Sequence, residues 1–332
     1  MPLFGRKKSA SDYVKRLYEA VVSLPNAQDE QLKSVHAEID KCTTNLRTML
    51  YSTDGTPSTV DDEVVDEFLK CNLVHDSLLP LELFGFEAKK DLMAILTHLL
   101  GHPAFVRHLL ARPDIFSILM NHYEKSGIAL LCGAFIREAI EQSPQLCRLL
   151  LSIDVVQRLF TFVNFDSFDI ASDAFATLYS LLNAHKELTT AFLNSCYDPF
   201  FDGFENLIQS ENYVIRRSSL RLLAELLLER SSFEIMSKYI SQLNNLKSIM
   251  KLLLNRSRNI QFEAFHVFKI FVANPNKPEP IANVLSRNSS RLVKFLGNFH
   301  CEGDEQLEEE VQLLITEIKG LGNLEEEQSE SD

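Results

Sequence analysis

The amino-acid sequence predicts an all-α fold of armadillo/HEAT-like type, a right-handed α-solenoid of stacked helical triplets. Three observations predict it. Glycine and proline number only 11 each in 332 residues, and both are poorly tolerated in helix interiors. Prolines such as Pro103, Pro113, Pro144 and Pro199 fall between apolar-periodic stretches, where helices end. Similar apolar stretches also recur at a period of roughly 40–47 residues, longer than tetratricopeptide or ankyrin units and matching armadillo or HEAT units.

Taken in order, residues 1–9 are expected to be a flexible N-terminus. They carry Arg6, Lys7 and Lys8 with no apolar run behind them, so they do not form a signal peptide. With proline rather than glycine at position 2, myristoylation is not expected. Residues 11–24 and 27–51 read as two helices. "STDGTPSTVDD" (52–62) reads as a loop from its Gly, Pro, Ser and Asp content, and "EVVDEFLKCNLVHDSLLPLEL" resumes helical spacing. Residues 10–85 are read as an N-terminal cap with atypical repeats, of the kind solenoids need for solubility.

Five stretches then begin alike: "FEAKKDLMAILTHLL" from Phe86, "SGIALLCGAFIREAI" from Ser126, "SFDIASDAFATLYSLL" from Ser167, "SENYVIRRSSLRLLAELLL" from Ser210 and "SRNIQFEAFHVFKIF" from Ser257. A serine before an apolar-periodic run makes an N-cap, its oxygen accepting a bond from an exposed helix amide. Each start is followed by a shorter helical piece and a third apolar run. The third runs are "IFSILMNHYE", "VVQRLFTFV", "FFDGFENLI", "NLKSIMKLLL" and "RLVKFLGNF". The repeats make one domain over 10–322, and 323–332 form an acidic disordered tail.

The last repeat shows the packing most plainly. On a helical wheel Ile260, Ala264, Phe265, Val267, Phe268, Phe271 and Val272 fill one broad arc, leaving Phe262, Ile270 and Ala273 among Glu263, His266 and Lys269. So wide an apolar arc needs cover on more than one side. Stacked repeats supply it.

Composition excludes several function classes. The net charge of −13 lies mainly in residues 301–332, which hold twelve acids against Lys319 alone. The rest is nearly neutral and offers no broad footprint for nucleic acid. No apolar run is long enough for a membrane span. Cys42, Cys71, Cys132, Cys147, Cys196 and Cys301 lie far apart without a Cys-x-x-Cys, which fits buried, reduced thiols in a cytoplasmic protein.

Catalytic motifs are missing as well: no G-x-G-x-x-G, P-loop, G-x-S-x-G or kinase signature occurs. His98 and His102 are separated by Gly101, so a metal site there is not expected. Asp166, Asp169 and Asp173 lack the glycine and terminal glutamate of a calcium loop. Asp169 and Asp173 read as first-turn acids favouring the helix dipole. No cofactor or metal is expected, and no enzymatic activity.

One polar feature stands out. Arg217 and Arg221 share a helix face with Tyr213 in "SENYVIRRSSLRLLAELLLER". Two readings are open: Arg221 pairs with Glu225 within the helix, or the arginines meet an anionic ligand. Arg230, Phe233 and Met250, on the helices that follow, could approach that face. Together they would form an apolar pocket rimmed by guanidinium groups, suited to aromatic side chains carrying a carboxylate.

"SFDIASDAFATL", the Ser210–Ser241 stretch and "SRNIQFEAFHVFK" closely resemble the mouse protein 25 family, also called calcium-binding protein 39, and the likeness spans about residues 10–320. The resemblance implies a curved horseshoe acting as a scaffold for kinases. Its partners would be a sterile-20-like protein kinase or pseudokinase, including a kinase–pseudokinase heterotrimer, in animals and in fungal polarity and cytokinesis pathways. It implies a pocket for a Trp-Glu-Phe C-terminal tail at Arg217, Arg221, Arg230, Phe233 and Met250. It also implies a concave surface gripping the kinase-like fold through Phe168 and Tyr213. Arg221 stands where many relatives have lysine, and the two are not equivalent in bidentate recognition. The N-terminal 60 residues and the acidic tail depart from the family pattern, which leaves partner choice open. An armadillo adaptor for other linear peptides, cytoskeletal or transport cargo, is the alternative.

Overall fold

Ser9 starts the first helix with a reciprocal cap: its hydroxyl accepts from the Asp12 amide while the Asp12 carboxylate accepts from the Ser9 amide. The helix it opens, α1 (Ala10–Ser23), packs on α2 (Asp29–Leu50). Next come α3 (Asp62–Lys70) and α4 (Leu73–Leu78), separated at Asn72, whose left-handed backbone (φ 54°) interrupts the helix. Asparagine is among the residues that tolerate that region best. The structure, a computed structural model, describes residues 9–51, 62–125, 127–299 and 303–329, with side chains to 321. The expected N-terminal arm before Ser9, nearly all of the 52–62 loop, Ser126, Cys301 and the side chains of the acidic tail lie outside these.

Beyond Phe86 the predicted triplets follow. They are α5 (Phe86–Leu99), α6 (Pro103–Ala111) and α7 (Asp114–Asn121); then α8 (Ala129–Gln142), α9 (Pro144–Leu150) and α10 (Ile153–Val163). The third set is α11 (Phe168–Asn183), α12 (Lys186–Ser195) and α13 (Tyr197–Ile208). The fourth is α14 (Tyr213–Leu228), α15 (Phe233–Ile240) and α16 (Leu243–Leu253). The last is α17 (Arg258–Ala273), α18 (Glu279–Arg287) and α19 (Ser289–Gly297), followed by α20 (Glu305–Ser329). The helical backbone of α20 thus extends into the segment expected as a disordered tail. No β-strand occurs among the described residues.

The chain packs as two compact units, Met1–Phe192 and Leu193–Asp332. In each unit the first helix of a triplet, here the lead helix, packs on the lead helix of the next. In the first unit α2 meets α5, α5 meets α8 and α8 meets α11; in the second α14 meets α17 and α17 meets α20. The third helix of one triplet also covers the next lead helix, as in α7 on α8, α10 on α11, α16 on α17 and α19 on α20. A lead helix therefore needs apolar residues over most of its circumference. On α17 all seven residues of the predicted arc are buried, and Phe265 stacks on Phe299 with ring centroids 4.9 Å apart. Ile270, placed on the polar side by the wheel, is buried too, because α20 lies against α17.

The serine caps are only partly as expected. Ser167 and Ser257 occupy the N-cap positions of α11 and α17 without capping through their hydroxyls. For α14 the cap is Asn212, whose side-chain oxygen accepts from the amides of Val214 and Ile215. Ser210 instead accepts from the Asn212 amide.

Candidate functional site

Three helices set out the predicted site. Tyr213 opens α14, and Arg217 and Arg221 follow at successive four-residue steps, so all three stand on one ridge of the helix. That ridge borders α17. Asn259 Nδ2 donates to the Tyr213 hydroxyl oxygen at 2.9 Å, and Arg217 Nε donates to Glu263 Oε1 at 3.2 Å. The Glu263 carboxylate is only 10% exposed, against 46% for the Arg217 side chain. Bonding to Glu263 raises the Arg217 pKa above its usual value. Donors from Asn259 and Arg217 lower that of the Tyr213 phenol. Arg221 reaches Glu225 within α14, Nε to Oε1 3.2 Å, the intrahelical pairing that its spacing allows.

The other predicted residues lie elsewhere in the second unit. Arg230 follows the C-terminal end of α14, and the exposed Phe233 begins α15. Met250 is half-buried on α16, which packs on α15. The hydrogen bonds of Arg217 and Arg221 thus run to α17 and along α14. Tyr213, Arg217 and Arg221 make one ridge of α14, while Arg230, Phe233 and Met250 come from the turn after α14, from α15 and from α16. Leu228, at the end of α14, is a further exposed apolar residue preceding Arg230.

In the first unit, Phe168 is the first residue of α11 and 67% exposed. Along the same stripe come Ser172, Phe175, Ala176 and Tyr179, which with Arg137 and Glu141 of α8 line a shallow groove. Sequence reasoning picked out Phe168 and missed Phe175 and Tyr179. Their spacing from Phe168 on a helix whose core positions are already filled was the available signal.

Arg217–Glu263 belongs to a recurring arrangement in which a cation on one lead helix meets an acid on the next. Arg47 on α2 meets Asp91 on α5 at 2.6 Å, Arg137 on α8 meets Asp173 on α11 at 2.8 Å, and Lys269 on α17 meets Glu310 on α20 at 2.8 Å. Asp173, expected as a first-turn acid, instead accepts from Arg137 and from the buried Tyr123 hydroxyl. His102 caps α6 through Nδ1 and bonds Asp62 through Nε2 at 2.7 Å, while His98 packs near Tyr51. Both histidines thus have structural partners. Burial pushes the thiols of Cys42 and Cys132 up to about 12 and that of Cys147 up to about 11, which keeps them protonated and unreactive. Among the described residues no cluster of three or more His, Cys, Asp or Glu could hold a metal ion, and no helix is long and apolar enough to cross a membrane.

Residues 2–322 match the family described as Mo25-like. The human protein "Calcium-binding protein 39-like" is 40% identical over 97% of this chain and 98% of its own length. "MO25-like protein 2" of Caenorhabditis elegans is 41% identical over 96% and 98%. The "Mo25-like protein" of Schizosaccharomyces pombe is 37% identical over 95% and 98%. Among solved structures a designed armadillo repeat protein aligns at TM-score 0.44 and 10% identity over 77% of this chain and 99% of its own. At that level the repeat architecture rests on the helix order and packing described above.

Proposed function

The chain belongs to the Mo25-like family, and from that premise we propose that it is a cytoplasmic, non-catalytic scaffold that binds and activates sterile-20-like kinases. A kinase–pseudokinase pair is a second client of the same surface. The observation that carries this reading is the exposed ridge of Tyr213, Arg217 and Arg221. It consists of a phenol and two guanidinium groups on a rigid helix, the residue types that dominate protein–protein hot spots. The ridge, on the second unit, contacts the kinase fold, and Phe168, exposed on the first unit, is a separate contact residue for it. Arg230, Phe233 and Met250, with Leu228, receive a Trp-Glu-Phe tail, the apolar residues taking the aromatic rings and Arg230 the carboxylates.

Activation follows from differential binding. A rigid scaffold shifts a kinase toward its active arrangement, with the Lys–Glu pair of the N-lobe complete, only by binding that state more tightly than the inactive one. A tail held at a second site raises overall avidity through effective concentration. The test is calorimetric titration of a peptide ending in Trp-Glu-Phe, alongside titration of a sterile-20-like kinase catalytic domain. Phe233→Ala and Met250→Ala should weaken the peptide and spare the kinase domain, and Tyr213→Ala should do the reverse. Equal binding of both ligands by wild type and all three variants would remove the assignment.

A further inference from the structure

The ridge on α14 does not hold its own shape. Arg221 is held within α14 by Glu225, but the other two outward groups are fixed from α17: Asn259 Nδ2 donates to the Tyr213 oxygen, and the buried carboxylate of Glu263 takes the Arg217 Nε. The consequences are directional. With Glu263 on Nε, the terminal guanidinium nitrogens of Arg217 are turned away from the core, toward Tyr213 and solvent. The Tyr213 hydroxyl is held among the side chains of Asn259, Arg217 and Ser257. What Arg217 offers a partner is therefore N–H donors and positive charge, with the acceptor that holds it, Glu263, turned inward.

We propose that Asn259 and Glu263 are positioning residues of the partner-binding ridge, and that the ridge they set up recognises a carboxylate on the kinase-fold partner. The inference rests on the scaffold reading above and deepens it. A long arginine side chain loses rotamer freedom on binding. Glu263 restricts that freedom beforehand, and it does so by the guanidinium edge that leaves the end-on pair of Nη groups for a bidentate carboxylate. The carboxylate of Glu263 also opposes the incoming one by like charge, so two effects compete. Its bond to Nε acts at contact and fixes geometry. Its repulsion acts on an incoming group lying beyond the intervening guanidinium and is screened by water near the surface. The positioning effect therefore dominates.

The experiment measures affinity of the full chain for a recombinant sterile-20-like kinase catalytic domain, with wild type, Arg217→Ala, Glu263→Gln, the double variant and Asn259→Ala. Melting temperatures are recorded for each. Arg217→Ala should weaken binding at least about tenfold, as for a central interface arginine. Glu263→Gln should weaken it about threefold or more when Arg217 is present and less than about twofold in the Arg217→Ala background. Asn259→Ala should weaken it while leaving the melting temperature near wild type. A general folding defect would lower affinity equally in both Arg217 backgrounds, and that result overturns the proposal. So does unchanged or tighter binding by Glu263→Gln while Arg217→Ala binds weakly, which leaves the ridge intact as a docking site. Wild-type affinity in Arg217→Ala removes the docking role of Arg217 and the positioning role with it.

Discussion

Gly133→Ala should destabilise the first unit, although on propensity alone it should do the opposite. Replacing a glycine inside a helix by alanine favours the helix by about 1 kcal/mol, and Gly133 lies inside α8. A Cβ at this position, however, would collide with the Asp173 carboxylate on α11 and with the Tyr123 hydroxyl. Those groups are bonded to each other at 2.9 Å, Tyr123 also meets Thr177 at 2.8 Å, and Arg137 donates to both Thr177 and Asp173 at 2.8 Å. The collision thus falls on a network that joins two successive repeats. Overpacking of a core costs about 1–3 kcal/mol, and breaking a buried ion pair about 3–5 kcal/mol. Arg137 keeps some contact with water, which places the second figure at its lower end. Set against the gain in propensity, the net loss is about 3–5 kcal/mol. For a unit of this size it lowers the melting temperature by about 6–20 °C. Gly297→Ala in α19, where nothing lies near the added methyl, is the matched control and should melt within a few degrees of wild type. Thermal unfolding followed by circular dichroism reads the difference, and Tyr123→Phe in the Gly133→Ala background should recover part of it. A Gly133→Ala melting temperature at or above wild type would refute the reasoning.

Three further outcomes are expected. Phe268→Ala, which empties a fully buried position on α17, should cost about 3–5 kcal/mol in denaturant unfolding; a midpoint close to wild type would contradict the packing. His108 and His266 are both held below the ordinary histidine value, chiefly by burial; Arg112 and Lys269, respectively, add to that and Asp114 and Glu310 oppose it. Below about pH 6.5 the unfolded chain takes up protons that these folded sites resist, so stability should fall as pH drops through that range. Melting temperatures of wild type and His108→Gln between pH 7.5 and 5.5 check this, and an equal pH slope in the two proteins would count against His108 as a source. Arg221→Ala should change stability by less than about 0.5 kcal/mol, since its bond to Glu225 is an exposed pair within one helix; a larger loss in urea unfolding would mean that Arg221 has a structural partner outside α14.

Much of this architecture was legible from apolar spacing, because each lead helix is covered on several sides and must carry apolar residues nearly all round. The arc on α17 from Ile260 to Val272 is the clearest case. What spacing did not reveal depends on distant partners. Glu263 sits among polar residues on the wheel, yet it is buried because Arg217 reaches it from the preceding lead helix. Asp173 reads as a helix-dipole acid until Tyr123 and Arg137 are brought against it. The site shows the same division. Four-residue steps place Tyr213, Arg217 and Arg221 on one ridge, whereas which neighbour that ridge faces is set by repeat stacking. The serine starts located the repeats, but Asn212 supplies the cap at α14, since a cap depends on backbone direction at one residue.

The central claim is that the chain activates a kinase by holding it, and it is tested most directly by the rate of phosphorylation of a peptide substrate. The catalytic domain of a sterile-20-like kinase is assayed alone, with saturating wild-type chain, and with the Tyr213→Ala/Arg217→Ala variant, beside a control holding the chain without kinase. The account predicts a rise of at least about tenfold in kcat with wild type, the yield of roughly 1.4 kcal/mol of preference for the active state in a mostly inactive kinase. It predicts little or no rise with the variant, and no turnover by the chain alone. A rate unchanged by saturating wild-type chain would contradict it.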